Sequence, residues 1–247
     1  MEADSVASGG GSGSGITFVL VHGVFADASG WNAVAARLLH AGHQVIAPAN
    51  PLRDIAGDSA YVGSVLDTIT GPVVLVGHSY GGEVITNAGT GRANVKALVY
   101  VAAFAPDQGE SALQLAGQFP GSRLPDALRT RALPGGADAD GYIDPARFHD
   151  VFAQDLPRST TRLMAVTQRP GSLGGLAAPS GVPAWRSVPS WYVVAGDDRV
   201  IPPAAQRFMA RRAGSRTVEV RGASHVVMMS RPEVVVRQLA AVVRAIA

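Results

Sequence analysis

The six residues from Gly77 to Gly82, Gly-His-Ser-Tyr-Gly-Gly, carry the clearest chemical signal in the chain. They fit the pattern G-x-S-x-G, and they lie between an apolar run that suits a strand (72–76) and a segment with helical spacing (80–88). A serine at such a turn exposes its hydroxyl at the carboxyl end of a sheet, and the helix N-terminus behind it favours developing negative charge. We therefore interpret Ser79 as a nucleophile rather than as a simple helix cap.

A serine hydroxyl needs a general base, and His225 is the histidine best placed to supply one. It follows the last predicted strand (217–220) in the small-residue loop Gly222-Ala223-Ser224-His225, before a C-terminal helix. That loop can reach the edge of the sheet where Ser79 is expected. The other five histidines fall in turns, near the end of a surface helix, or in the segment after the fourth strand, where structural roles are expected.

The histidine needs a carboxylate that fixes its tautomer and stabilises the imidazolium. Asp197 and Asp198 follow the predicted strand 190–195 at the same edge of the sheet. Either of them gives the chain order Ser, Asp, His that is expected for such a site. The residues alone leave the choice between the two aspartates open.

An acyl-transfer site also needs two N–H groups that hold the negative oxygen of the tetrahedral intermediate. The residue after the nucleophile supplies one, so we predict the Tyr80 N–H. The second is expected from the loop after the first strand, which contains His22-Gly23-Val24-Phe25. We predict the Val24 N–H, with the Phe25 N–H as the alternative.

The elements that position these residues alternate between strand and helix. Short apolar, mostly β-branched runs predict six strands, at 16–21, 44–48, 72–76, 95–102, 190–195 and 217–220. Helical spacing predicts helices at 27–41, around 61–69, and at 80–88, 203–213 and 230–246. This alternation predicts right-handed βαβ units and hence a mostly parallel, six-stranded sheet with helices on both faces.

The segment 103–186 interrupts the alternation because it contains no convincing buried strand. We predict a helical cap there, so that the α/β core consists of 16–102 and 187–247. The Gly/Ser-rich stretch within 1–15 predicts a flexible N-terminal segment outside the fold. It does not read as a signal peptide, so the sequence predicts a cytoplasmic location.

Composition excludes several classes of protein. Hydrophobic residues make up 47% and charged residues 16%, a balance that supports a large buried core. The chain has no cysteine, so disulfides and thiolate chemistry are ruled out. The formal net charge is only +2 and the basic residues are scattered, which argues against nucleic-acid binding. No run approaches 18 apolar residues, so no membrane span is predicted.

The chain resembles the α/β-hydrolase superfamily over essentially all residues after Gly15. Four motifs carry this resemblance: Val21-His22-Gly23, Gly77 to Gly82, Gly196 to Pro203, and Ser224-His225. In that family the acid usually lies four residues before a proline, which favours Asp198 because Pro202 follows. The compact size and single cap are similar to the branch of bacterial esterases, plant methylesterases and hydroxynitrile lyases. The family sheet has eight strands, and this chain lacks the first two.

The resemblance and the motifs together predict hydrolysis of a carboxylic ester, with lactone, thioester and amide cleavage as variants. Ser79 forms the acyl-enzyme and His225 activates the water that releases the acid. No metal or organic cofactor is expected, because H-E-x-x-H, P-loop and dinucleotide-binding patterns are absent from the sequence. The expected partners are a small ester-like molecule and water.

Three alternatives keep the same triad. Hydroxynitrile lyases of the branch carry a lysine directly after the catalytic histidine; here Val226 stands there, and the one lysine, Lys96, is remote. A cofactor-free peroxidase or oxygenase and a ligand-binding receptor with residual hydrolysis also fit the motifs.

The substrate is expected to be small to medium in size and hydrophobic. This expectation rests on apolar side chains of the cap that are candidates for a pocket wall, although packing against the core also accounts for them: Leu113, Leu115, Phe119, Phe148, Phe152, Leu163, Met164 and Trp185.

Overall fold

A computed structural model describes residues 15–246, so the predicted N-terminal segment 1–15 lies outside the described residues except for Gly15. The strands, in chain order, are β1 (Thr17–Val21), β2 (Gln44–Ile46), β3 (Val73–Ser79), β4 (Val95–Ala103), β5 (Leu128–Ala132), β6 (Ala139–Ile143), β7 (Gly171–Ser172), β8 (Ser190–Ala195) and β9 (Arg216–Val220). Within 15–246, none of the helices combines the length and apolar character needed to cross a bilayer.

Helices connect and cover these strands. In chain order they are α1 (Asn32–His40), α2 (Ile55–Asp67), α3 (Tyr80–Ala88), α4 (Ala112–Gly117), α5 (Leu124–Ala127), α6 (Pro145–Phe152), α7 (Arg158–Thr167), α8 (Leu173–Ala177), α9 (Pro203–Arg212), α10 (Val227–Ser230) and α11 (Pro232–Ile246). Two 3₁₀ turns cover Ala28–Trp31 and Ala184–Arg186.

Six strands form one parallel sheet in the order β2-β1-β3-β4-β8-β9, which confirms the predicted six-stranded sheet. Every residue of β1, β3 and β8 is buried, as expected for apolar strands covered on both faces. The edge strands β2 and β9 are half-exposed. Because the chain passes from β2 to β3 across β1, the strand order reverses between β1 and β3, where α/β sheets form their ligand crevice.

The chain between β4 and β8, which the sequence predicts to be a cap, contains helices α4 to α8. It also contains a three-stranded antiparallel sheet, β5-β6-β7, which the sequence analysis did not predict. The reason is that β5 is half-buried or exposed at every position and reads Leu-Arg-Thr-Arg-Ala, without an apolar run. The ion pair of Asp140 with Arg53 (2.8 Å) ties this sheet to the core, and the pair of Asp140 with Arg131 (3.0 Å) joins β6 to β5 within the sheet.

The turn from β3 into α3 is the tightest part of the core. Ser79 has φ 55° and ψ −126°, a backbone conformation that L residues rarely adopt. A Cβ on Gly81 would lie 2.4 Å from the Val21 carbonyl oxygen, and one on Gly77 would lie 2.5 Å from the Gly81 oxygen. Glycine is therefore required at these two motif positions, because the backbones of β1, β3 and α3 are in direct contact and leave no space for a side chain.

We expect Gly81→Ala to lower the free energy of unfolding by about 3 kcal/mol or to prevent folding, because the clash is with rigid backbone. Gly117→Ala is the matched control, since a Cβ there meets nothing within 4 Å in the last turn of α4. It should raise stability by up to about 1 kcal/mol. Urea titration measures both, and a Gly81→Ala protein as stable as the wild type would contradict this account of the motif.

Candidate active site

Three loops at the carboxyl edge of the sheet place the predicted triad. Ser79 ends β3, Asp198 follows β8, and His225 follows β9. The His225 Nδ1–H donates to Asp198 Oδ2 at 2.7 Å, and both side chains are fully buried. Asp197 is exposed, and only its backbone contacts the neighbouring loops. The structure thus brings Asp198, and not Asp197, to the histidine.

The second ring nitrogen of His225 is the one a general base would use. His225 Nε2 is buried and has no hydrogen-bond partner among residues 15–246, so it is available to a proton donor. Ser79 is 5% exposed, and within the same residues its hydroxyl makes no hydrogen bond shorter than 3.5 Å. Catalytic hydrogen bonds are often long in the absence of substrate. The nucleophilic role of Ser79 and the basic role of His225 remain predictions that this geometry supports.

His78, the residue before the nucleophile, holds the histidine loop in place. Its Nε2–H donates to the His225 carbonyl oxygen at 2.9 Å, and the two rings lie 4.7 Å apart between centroids. Burial lowers the pKa of His78 well below its ordinary value, because a charged imidazolium would be desolvated there. The ring therefore stays neutral and serves as a fixed donor to the loop of the predicted base.

The Asp198 carboxylate accepts four hydrogen bonds, which fix its position. Oδ1 accepts from the N–H groups of Val200 (2.7 Å) and Ile201 (3.0 Å). Oδ2 accepts from His225 and from Gln206 Nε2, each at 2.7 Å. No other acidic side chain among the described residues contacts the histidine ring.

Gln206 is a part of the site that the sequence analysis missed. Its side chain is fully buried in the first turns of α9, and its Oε1 accepts the Ala195 N–H at 3.0 Å. This contact fixes the orientation of the amide, so Nε2 must face Asp198, and it also donates to the Ile201 carbonyl at 2.8 Å. A polar residue on the otherwise apolar face of α9 (Ala205, Met209, Ala210) was the available signal.

The loop after β1 contains Val24, whose N–H is one of the two predicted oxyanion donors. The Phe25 N–H donates to the Arg169 carbonyl at 2.8 Å and is therefore occupied. The Gly23 carbonyl is held by His22 Nδ1 at 2.9 Å. In a trans peptide the N–H of the next residue points the opposite way, so this contact turns the Val24 N–H away from His22. The occupied Phe25 N–H disfavours the alternative donor, and the Val24 and Tyr80 N–H groups remain the predicted oxyanion donors.

The tautomer of His22 follows from its partners. His22 Nε2 accepts the Asn50 N–H at 3.1 Å, so Nδ1 carries the proton and donates to Gly23. Burial lowers the pKa of His22 and keeps the ring neutral, as both contacts require. A close approach completes the loop: a Cβ on Gly23 would lie 2.6 Å from the Ser79 Cβ.

The cap is bonded to both loops that carry the acid and the base. Gln154 Nε2 donates to the Asp197 carbonyl at 2.7 Å, and Asp155 Oδ2 accepts the Ser224 N–H at 3.0 Å. These adjacent residues lie in the connector between α6 and α7. The cap therefore contributes directly to the position of the Asp198 and His225 loops, and the sequence alone gave no indication of these contacts.

A small apolar cavity, here called the serine cavity, opens at Ser79 and has a volume of about 50 Å³. Its lining is Val24, Phe25, Ser79, Tyr80, Phe104, Ala112, Leu113, Ala116, Leu124, Leu176 and Val200. Tyr80 turns its hydroxyl away and donates to the buried Asp58 at 3.0 Å. Of the eight cap residues considered as wall, Leu113 lines this cavity, whereas Phe148 and Phe152 are buried in packing.

Among residues 15–246, no three His, Asp or Glu side chains cluster in a way that would hold a metal ion.

Comparison with known proteins relates the chain to enzymes of one family. The sequence profile described as "Alpha/beta hydrolase family" matches residues 18–238. Methylesterase 8 of Arabidopsis thaliana is 28% identical over 91% of this chain and 88% of its own length. An alpha-hydroxynitrile lyase of the same plant is 24% identical over 91% of this chain and 96% of its own length. The crystal structure of polyneuridine aldehyde esterase aligns with a TM-score of 0.80 at 25% identity, covering 92% of this chain and 98% of that one.

We expect Gln206→Glu to lower kcat roughly 10- to 100-fold, because hydrogen bonds to charged groups are worth about 1.5–3 kcal/mol. The new carboxyl would face Asp198 in a buried site, where two carboxylates at contact cannot both ionise freely. The pH–rate profile should therefore gain an ionisation that the wild type lacks. Gln238→Glu on α11 is the control, since Gln238 Nε2 donates to the Arg216 carbonyl at the amino end of β9, whereas the site lies at the carboxyl ends of the strands. A wild-type profile for Gln206→Glu would contradict the assigned contact.

Substitution of His22 tests whether its contact with the Gly23 carbonyl orients the predicted oxyanion donor, the Val24 N–H. One oxyanion donor is worth about 10²–10³ in kcat, so a misdirected Val24 N–H in His22→Ala should cost on the order of tenfold or more in kcat. His22→Asn should retain more activity, because its amide nitrogen can reach the Gly23 carbonyl. Steady-state kinetics with a simple ester measure both. Equal rates for the two variants would show that the contact to Gly23 does not direct the donor.

Proposed function

This chain belongs to the α/β-hydrolase family, and on that premise we propose that it is an esterase that cleaves carboxylic esters through Ser79. The observation that carries the proposal is the buried 2.7 Å contact of His225 with Asp198 beside a serine on a strained strand-to-helix turn. The esterases among its relatives, including methylesterase 8 and polyneuridine aldehyde esterase, support the same reaction class.

The proposed reaction has two steps. In the first, His225 Nε2 takes the Ser79 proton as Oγ attacks the ester carbonyl, and the negative oxygen binds the Val24 and Tyr80 N–H groups. His225 then protonates the leaving alcohol, and the acyl group stays on Ser79. In the second, His225 takes a proton from water, the hydroxide attacks the acyl carbon, and Ser79 recovers its proton as the acid leaves.

The serine cavity supports a short apolar acyl group. It offers no charged side chain, and its volume of about 50 Å³ accommodates only a few water-sized groups. An acyl chain of a few carbons fits this space. A lactone, thioester or amide of similar size is open to the same chemistry.

Cyanohydrin cleavage is disfavoured by the side chain next to His225. Val226 is fully buried and apolar, so it cannot hold a cyanide ion, and Lys96 lies exposed on β4. Two alternatives remain: a cofactor-free oxygenase and a ligand-binding receptor with residual hydrolysis. Multiple turnover of simple esters would distinguish an esterase from both.

Initial rates on p-nitrophenyl esters from acetate to decanoate test the proposal. The wild type should be most active with short acyl chains, because the serine cavity is small. Ser79→Ala should lose three or more orders of magnitude in kcat, as expected when a triad member is removed. Circular dichroism provides the control for folding. Equal rates in the two proteins would refute the esterase mechanism and favour an oxygenase-like enzyme or a receptor.

A further inference from the structure

A buried phenol and a buried carboxylate meet behind the nucleophile. The Tyr80 hydroxyl donates to Asp58 Oδ2 at 3.0 Å, and the two residues are 2% and 1% exposed. The contact joins the first residue of α3 to the first turn of α2. The proposed reaction uses the backbone N–H of Tyr80 and leaves this side-chain contact without a role.

The direction of this hydrogen bond follows from the surroundings of both groups. Burial raises the pKa of the Tyr80 hydroxyl above its ordinary value, and the charge of Asp58 adds to the effect, so the phenol keeps its proton and donates. Asp58 Oδ1 accepts the backbone N–H of Arg53 at 3.2 Å. The Arg53 guanidinium binds Asp140 and the Pro170 carbonyl instead. Among residues 15–246, Tyr80 is therefore the side chain that donates to Asp58.

The Tyr80 ring forms part of the wall of the serine cavity, whereas Asp58 lies outside its lining. The absence of room for a Cβ at Gly81 fixes the backbone at the start of α3, but it does not fix the side-chain torsions of Tyr80. A buried hydroxyl is stable only where it has a hydrogen-bond partner. The contact with Asp58 therefore selects the torsions that turn the hydroxyl away and leave the apolar ring facing the cavity.

We propose that Asp58 is a positioning residue that sets the acyl length accepted by the serine cavity, because it holds the Tyr80 phenol. This inference rests on the proposed esterase function. Without its acceptor, the phenol gains a partner by turning toward the serine cavity, whose volume of about 50 Å³ has room for water. The cavity then becomes narrower and more polar on one side, which disfavours longer hydrocarbon acyl groups.

Three variants test this inference: Asp58→Leu, Tyr80→Phe and the double variant. Leucine keeps the branched shape of aspartate but accepts no hydrogen bond. Removal of the acceptor alone leaves the phenol unpaired, whereas replacement of both partners by apolar groups of similar shape is nearly neutral. Asp58→Leu removes the Arg53 contact in the single and the double variant alike, so that effect cancels when the two are compared.

The matched controls are Tyr61→Phe and Asp67→Leu. Both residues lie on α2 with Asp58, and neither lines the serine cavity. Tyr61 is 41% exposed, and the Asp67 side chain is 64% exposed. Neither substitution should alter the choice of acyl group. Circular dichroism checks the folding of every variant.

The readout is the kcat/KM ratio of p-nitrophenyl butyrate to p-nitrophenyl acetate. Asp58→Leu should lower this ratio by about tenfold or more, since one methylene in an apolar pocket is worth about 10- to 200-fold. Tyr80→Phe should stay within about threefold of the wild type, because a phenyl ring remains in the apolar wall. The double variant should return the ratio to that range, although Asp58 is still absent from it.

Asp58→Asn provides the same comparison if Asp58→Leu does not fold. The Arg53 N–H is a donor and holds the amide oxygen, so the amide nitrogen faces the phenol. The phenol proton again lacks an acceptor, and the ratio of butyrate to acetate should fall. Addition of Tyr80→Phe should restore it.

The outcomes distinguish this inference from the proposed function. If esters are cleaved only when Ser79 is present, but the ratio in the folded Asp58 variants is unchanged or higher, the role assigned to Asp58 is wrong. A lowered ratio that Tyr80→Phe does not restore also overturns it, because Asp58 would then act on the site by a route other than the phenol. If the wild type cleaves no ester, or Ser79→Ala cleaves them equally, the proposed function itself fails.

Discussion

The close approach of three backbone segments beneath Ser79 is the constraint on which the rest of the site depends. The β1 loop, the end of β3 and the start of α3 meet with no room for a Cβ at Gly23, Gly77 or Gly81. This contact holds the serine in its strained conformation and sets the first N–H of α3 beside the β1 loop. The two predicted oxyanion donors are therefore placed by backbone packing, and the side chains around them are free to shape the pocket.

Three neutral polar side chains, together with the Asp155 carboxylate of the cap, hold the predicted base and acid in position. His78 donates a hydrogen bond to the His225 carbonyl, and His22 donates one to the Gly23 carbonyl. The Gln206 amide donates a hydrogen bond to the Asp198 carboxylate. Each is buried, so each has a defined orientation and no water competes for its partners. Within the described part of the chain, Asp198 is the carboxylate that hydrogen-bonds the histidine ring. Because its other hydrogen-bond donors are uncharged, the negative charge of Asp198 is available to stabilise a protonated His225.

The sequence allowed the fold to be predicted, and it placed the predicted triad residues in the loops at one edge of the sheet, because both rest on local patterns. Apolar runs identified the strands of the buried sheet, and the loops after β3, β8 and β9 contain the three predicted residues. Three features could not be predicted. The strand β5 has no apolar run. The contacts of Gln154, Asp155 and Gln206 join residues that are distant in sequence or bury a single polar group. The cavity at Ser79 depends on tertiary packing alone.

The bonds from Gln154 and Asp155 to the loops of the acid and the base link the cap to catalysis energetically. A cap movement that carries this connector away from the sheet removes a hydrogen bond from each loop at once. Any displacement of this connector would therefore weaken the positions of the acid loop and the base loop together, and the same two side chains couple the cap to both.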